Sequence, residues 1–226
     1  MTLIPSENLP DQRPQPPAEQ GSRPLPVGPL TATLMGLSVA VSLACWFGQN
    51  VAVLRRLVIS EFDGLGYGIF LPEVEHGQVW RLLTPIFVHF GLAHLVFNLI
   101  VLKDLGTVIE RVEGKRLLLA QVVVIGISSN LGQFLANGPA FGGMSGVVYG
   151  LLGYLWIKSR LDPSSRYVVP RQVVIWMLGW LVLCMTGWIG HVANFAHSVG
   201  LGVGAMWGCV SALASRQRAR AGGVES

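Results

Sequence analysis

At 226 residues, with 51% hydrophobic and only 12% charged side chains and a mean hydropathy of +0.54, the chain has the composition of a membrane protein, not of an ordinary soluble domain. The formal net charge of +4 argues for no nucleic-acid partner, because the basic residues cluster between apolar runs, as cytoplasmic loops do. Cys45, Cys184 and Cys209 lie in apolar runs without CxxC spacing and read as buried small hydrophobes, not as disulfides or metal ligands.

Residues 1–28 are rich in Pro, Gln, Glu and Arg and have no periodic apolar face, so a disordered cytoplasmic tail is expected there. They lack the parts of a signal peptide, and the first span is expected to be retained. That span runs from Leu30 to about Phe47. A mixed stretch over 48–81 follows, in which VAVLRRLVI has the pattern of an amphipathic helix lying in the interface. Further spans are predicted over Leu92–Val108, Leu117–Leu135, Ser145–Ile157, Val173–Trp188 and Asn194–Leu213. The membrane domain is thus expected over 29–215, with a basic cytoplasmic tail over 216–226.

In this six-span pattern Arg111, Lys115, Arg116, Lys158, Arg160, Arg166, Arg171, Arg216, Arg218 and Arg220 fall on one side, and Arg55, Arg56 and Arg81 on the other. The positive-inside rule then puts both termini in the cytoplasm. Lys103 and Asp104 interrupt the second span. Lys103 can snorkel toward the cytoplasmic end, whereas Asp104 has no account from the sequence.

The fourth span is too short. From Ser145 to Lys158 a helix rises about 20 Å at 1.5 Å per residue, against about 30 Å of hydrocarbon. It must begin inside the bilayer, where irregular backbone is tolerated only against protein or a wet cavity. A Gly-rich loop that enters the membrane and carries Ser145 at its tip is the result. With this topology His94, Asn98, Ser145 and His197 share one depth, and His76, His89 and His191 fall in the outer half or the outer loops. Ionisable groups within spans point to function.

Two small-residue stripes indicate which helices touch: Gly142, Gly146 and Gly150 in and before span four, and Ala196, Gly200, Gly204, Gly208 and Ala212 in span six. If these faces pack together, Ser145 comes within reach of His197, the minimum geometry of an activated nucleophile. His94 and Asn98, four residues apart on one helical face, and the Ser145 N–H are candidate donors to an oxyanion. No Asp or Glu lies near His197 in sequence, so a Ser-His dyad fits better than a triad. Taken singly, each feature has a plainer reading. Ser145 alone would be an N-cap, the glycines packing devices, His94 and Asn98 interhelical hydrogen-bond partners, and the outer histidines metal ligands. Their coincidence with a half-length span favours chemistry.

These residues resemble a family. GGMSGVVYGLLGY is similar to the GxSG element of rhomboid intramembrane serine proteases, the GlpG-type bacterial members in particular. HFGLAHLVFN (His89 to Asn98) resembles their HxxxxHxxxN element, AHSVGLGVG (Ala196 to Gly204) their AHxxGxxxG motif, and Trp80-Arg81 the Trp-Arg pair of their first outer loop. The resemblance covers about residues 76 to 212. It implies an all-α membrane protein: a six-transmembrane-helix rhomboid bundle with a short central fourth helix and a re-entrant loop, in the bacterial inner membrane. It further implies Ser145 as nucleophile, His197 as general base and then acid, and an oxyanion hole from His94, Asn98 and the Ser145 N–H. Gly143, Met144 and Tyr149 would serve substrate binding and support. Substrates would be transmembrane segments of other proteins, entering by displacement around span five and the loop over the site, without a cofactor; no oligomeric state is implied. The Pro-rich tail shows no folded cytoplasmic domain, and the short GWIGHVANF connection implies a different cap over the site. The alternative reading is a catalytically silent rhomboid-like protein that binds transmembrane helices; such relatives typically lack the Ser or the His, and this chain keeps both.

Overall fold

The computed structural model describes residues 26–61, 71–190 and 192–222, with side chains as far as 218. The reading of the tail as far as residue 25, and that of His191, fall outside the described residues. Among those residues the chain is all-helical, with eight α-helices and no strand. In chain order these are α1 (Pro29–Ala44), α2 (Val51–Leu57), α3 (Pro72–Glu75), α4 (Leu92–Val112), α5 (Lys115–Asn137), α6 (Ser145–Leu161), α7 (Arg171–Met185) and α8 (Asn194–Gly222). Helices α4, α5 and α8 are long and apolar enough to cross a membrane, and α1 and α7 are shorter apolar helices. The protein is an integral membrane helical bundle.

Helix α6 is the centre of that bundle. Every residue from Gly146 to Leu155 is buried, the mark of a helix enclosed by others on all sides. It runs four residues beyond the predicted Ile157. At 17 residues it is still only about 25 Å long. Its main partner is α8, followed by α5 and α4.

The α6–α8 contact is made backbone to backbone. A Cβ added at Gly200 would collide with the Gly146 carbonyl, one at Gly204 with the Gly150 carbonyl, and one at Gly208 would lie 2.6 Å from the Tyr154 carbonyl. The small-residue stripe of α8 therefore does face α6. Gly142 does not belong to this seam. Its missing Cβ points at the Val88 carbonyl, 2.8 Å away, because it precedes the helix and helical periodicity does not apply to it. Gly153 takes a place in the seam instead, against the Leu201 carbonyl.

Helix α1 starts with Pro at its first turn, where no N–H is needed. The next donors are met by Glu110 of α4, whose carboxylate accepts from the Leu30 N–H, the Thr31 N–H and the Thr31 hydroxyl, each at 2.8 Å. Helix α7 buries only Val174, Met177, Leu181 and Cys184 and leaves Ile175, Trp176, Val182 and Met185 exposed, a face suited to lipid. At the end of α6 remote from Ser145, Lys158 donates to Glu113 and to the Tyr154 hydroxyl (3.2 Å), and the Tyr167 hydroxyl donates to Glu113 (3.0 Å). Cys45 and Cys184 are buried as expected, whereas Cys209 is only half-buried.

The segment expected to lie along the interface is only partly helical. Helix α2 ends at Leu57, and Val58 and Ile59 are fully buried. The cause is Arg81, 2% exposed, whose guanidinium donates to the Arg55 carbonyl, the Val58 carbonyl (3.1 Å), Gln78 (2.7 Å) and Glu61 (3.2 Å). Trp80 donates its indole N–H to the Arg56 carbonyl at 3.3 Å. A buried guanidinium needs such acceptors, and in meeting them it ties this segment to the bundle.

Candidate active site

Ser145 is the first residue of α6, not its cap. The capping position is Met144, and no side chain caps the helix. The Ser145 hydroxyl instead faces α8, where its Oγ lies 2.8 Å from Nε2 of His197. His197 is 4% exposed, and its Nδ1 is buried with no partner among the described residues. With no carboxylate behind the ring among the described residues, the pair is a hydroxyl and an imidazole.

The approach to Ser145 is held by its backbone. The Gly143 N–H donates to the Pro85 carbonyl (3.0 Å), and the Met144 N–H donates to Nε2 of His89 (3.4 Å). Ser145 therefore carries the next N–H, at a helix start where such groups have no intrahelical acceptor. Gly143 has φ +126°, and a Cβ there would stand 2.7 and 2.8 Å from Cε1 and Nε2 of His94 and 3.7 Å from the Ser145 hydroxyl. His94, Gly143 and Ser145 thus meet at one point. Asn98, one turn along α4, is buried, with one amide N–H donating to the His94 carbonyl at 3.0 Å and its Oδ1 unpartnered among the described residues. The Met144 side chain is 1% exposed and packs into the core.

Against this geometry stand the comparisons with known proteins. The Rhomboid domain family model matches residues 76–213, more than half of the chain. The chain belongs to the rhomboid family. Among similar proteins are the Rhomboid protease GlpG of Salmonella paratyphi A, 40% identical over 142 residues (62% of this chain, 51% of the relative), and that of Salmonella choleraesuis, 41% identical over the same extent. The chain spans about half the length of the curated relatives it matches.

Three further residues support this candidate site in ways that sequence reasoning did not foresee. His89, fully buried, accepts from Met144, so its proton sits on Nδ1, which donates to the Phe87 carbonyl (3.1 Å) with the Ser42 hydroxyl 3.2 Å away. Its place at the head of HFGLAHLVFN was the available signal. Gln133 of α5 accepts through Oε1 from the N–H groups of Phe195 and Ala196, both at 3.1 Å, and so caps α8 just before His197. Met177 of α7 accepts the Tyr149 hydroxyl at 2.9 Å. That bond holds the Tyr149 ring with its centroid 4.8 Å from that of His197. Among the described residues no three His, Cys, Asp or Glu side chains gather as metal ligands would. His76 is exposed at the end of α3, where its Nδ1 lies against the Pro72 carbonyl.

Proposed function

We propose that the chain is an intramembrane serine endopeptidase that hydrolyses peptide bonds in or near transmembrane segments of other membrane proteins. The observation that carries this reading is the 2.8 Å contact between Ser145 Oγ and His197 Nε2, beside His94 and the buried Asn98, in a family whose relatives include proteins named as proteases. In this reading the rhomboid membrane domain occupies 29–215 and α1, α4, α5, α6, α7 and α8 are six spans. The loop before α6 is re-entrant, and both termini face the cytoplasm of a bacterial inner membrane.

His197, neutral with its proton on Nδ1, accepts the Ser145 proton at Nε2 as Oγ attacks the scissile carbonyl carbon. Negative charge develops on the carbonyl oxygen. Three donors fit it: the Ser145 N–H, His94 Nε2–H and the Asn98 amide, and such donors act strongly where water is scarce. The imidazolium then gives its proton to the leaving amine, and an acyl-Ser145 ester remains. A water deprotonated by His197 attacks that ester, and return of the proton to Oγ releases the carboxylic product. Tyr149 keeps the imidazole oriented in place of a carboxylate.

Wild type and Ser145→Ala, each reconstituted with a single-pass substrate, test the proposal. Cleavage by the wild type and none by the variant is the expected result. Cleavage surviving in the variant rules out Ser145 as nucleophile. Replacing His94 or Asn98 by Ala is expected to slow cleavage by about a hundredfold where that donor dominates.

A further inference from the structure

Asp104 lies within a helix long and apolar enough to cross the membrane, eight residues before Val112 and so about 12 Å along the axis from the end of α4. Its side chain is 64% exposed. A charge at that depth is costly unless paired or facing water, and an aspartate side chain is too short to snorkel over such a distance. Among the described residues its partner is Lys103, whose ammonium is 3.5 Å from Oδ1 and itself half-exposed. Lys103 has a stem long enough to leave for the interface; Asp104 does not.

Asp104 also lines a cleft of about 470 Å³ between α4, α7 and the connection at 167–170, walled by Val101, Leu105, Val173, Trp176 and Met177, in which it is the only charged side chain among the described residues. Packed side chains connect the cleft to the proposed site. Met177 lines it and also accepts the Tyr149 hydroxyl, and the Tyr149 ring lies on His197. Toward the outer end Phe97, also in the lining, stacks on Trp180 at 5.8 Å between centroids and bridges the two helices. An apolar slot with a single acid on its border fits an apolar rod with a single base. Membrane spans carry Lys and Arg toward their cytoplasmic ends, so a span of that kind supplies both features.

We infer that Asp104 is a specificity-determining residue: it selects, for the α4–α7 cleft, transmembrane segments that carry a Lys or Arg at its depth. The inference rests on the proposed protease function for its substrate class, but its binding test does not. Ser145→Ala protein in vesicles is titrated with three labelled single-pass helices that differ only in Lys, Leu or Glu about two turns inside the cytoplasmic end, and binding is read by energy transfer. The Lys helix is expected to bind about tenfold tighter than the Leu helix, the effect of one partly desolvated ion pair, and the Glu helix weakest. Asp104→Asn in the same background levels the three, and Asp104→Lys inverts their order; circular dichroism checks that both variants fold. Equal binding of the Lys and Leu helices, or a Lys preference that survives Asp104→Asn, overturns the inference. Equal binding of all three helices together with loss of bound phosphatidylethanolamine in Asp104→Asn also overturns it and gives the cleft to lipid. The three helices are offered in parallel to the Ser145 protein. Cleavage without charge preference leaves the protease reading standing and sinks the role of Asp104. A charge preference in binding with no cleavage does the reverse.

Discussion

Gly204 of α8 rests on the carbonyl of Gly150 in α6, so closely that a methyl group at its Cα would overlap the oxygen. One turn nearer the site Gly200 meets Gly146 in the same way, and Gly146 directly follows Ser145. The distance from Ser145 to His197 is thus set by a seam in which two backbones touch, and any side chain in it must push the helices apart.

Gly200→Ala is therefore expected to lose activity by about a hundredfold, the effect of a shift near 1 Å in a catalytic group, and to destabilise the bundle by about 1–3 kcal/mol. Gly202→Ala is the control, since nothing lies within 4 Å of its Cβ position. Cleavage rates and thermal midpoints of the two variants in one detergent check this. Equal effects would remove the seam from the account.

Gly143 makes a different demand. Its φ of +126° and the His94 ring 2.7 Å from its Cβ position leave no room for alanine. Gly143→Ala is expected to displace His94 and reduce kcat by about a hundredfold, as loss of an oxyanion donor does. Combined with His94→Ala, it should cost little more than His94→Ala alone. Kinetics of the double-variant cycle test this, and additive losses would separate Gly143 from His94.

The stretch of chain outside the spans carries a pH dependence. Burial pushes the Glu73 carboxyl up, but the Glu61 N–H (2.6 Å), the Ser60 hydroxyl (3.0 Å) and the charge of Arg81 outweigh it and hold the carboxyl below its ordinary value. A carboxyl lowered in the folded state contributes stability above its unfolded pKa and loses it as pH falls through the folded value. Wild type is expected to melt above Glu73→Gln at pH 7, with the gap closing as pH falls below about 4. Thermal scans of both proteins across that range decide it, and a gap unchanged by pH would contradict the assignment.

The features legible in the sequence are those that follow from periodicity along one helix. The stripe from Ala196 to Ala212 names the face of α8, and the shortness of the span after Ser145 marks α6 as the inner helix. The residues that escaped reading satisfy another helix's backbone. Glu110 serves the start of α1, some 80 positions earlier, and Gln133 serves the start of α8, more than 60 positions later. A helix start leaves its N–H groups unmet in any sequence, but which distant side chain meets them depends on the packing of whole helices. Arg81 was read as a loop charge for the same reason: two of its acceptors are the backbone carbonyls of Arg55 and Val58, groups that every residue has and no sequence distinguishes.

The central claim is that the Ser145 hydroxyl is made nucleophilic by His197 inside the bundle. Its most direct measurement is mass-spectrometric mapping of a fluorophosphonate adduct on the folded protein, in the wild type and in His197→Ala. Phosphonylation of Ser145 in the wild type, reduced at least a hundredfold in the variant, is the result expected. An unmodified Ser145 in folded wild-type protein, or equal labelling in the two proteins, would contradict the claim.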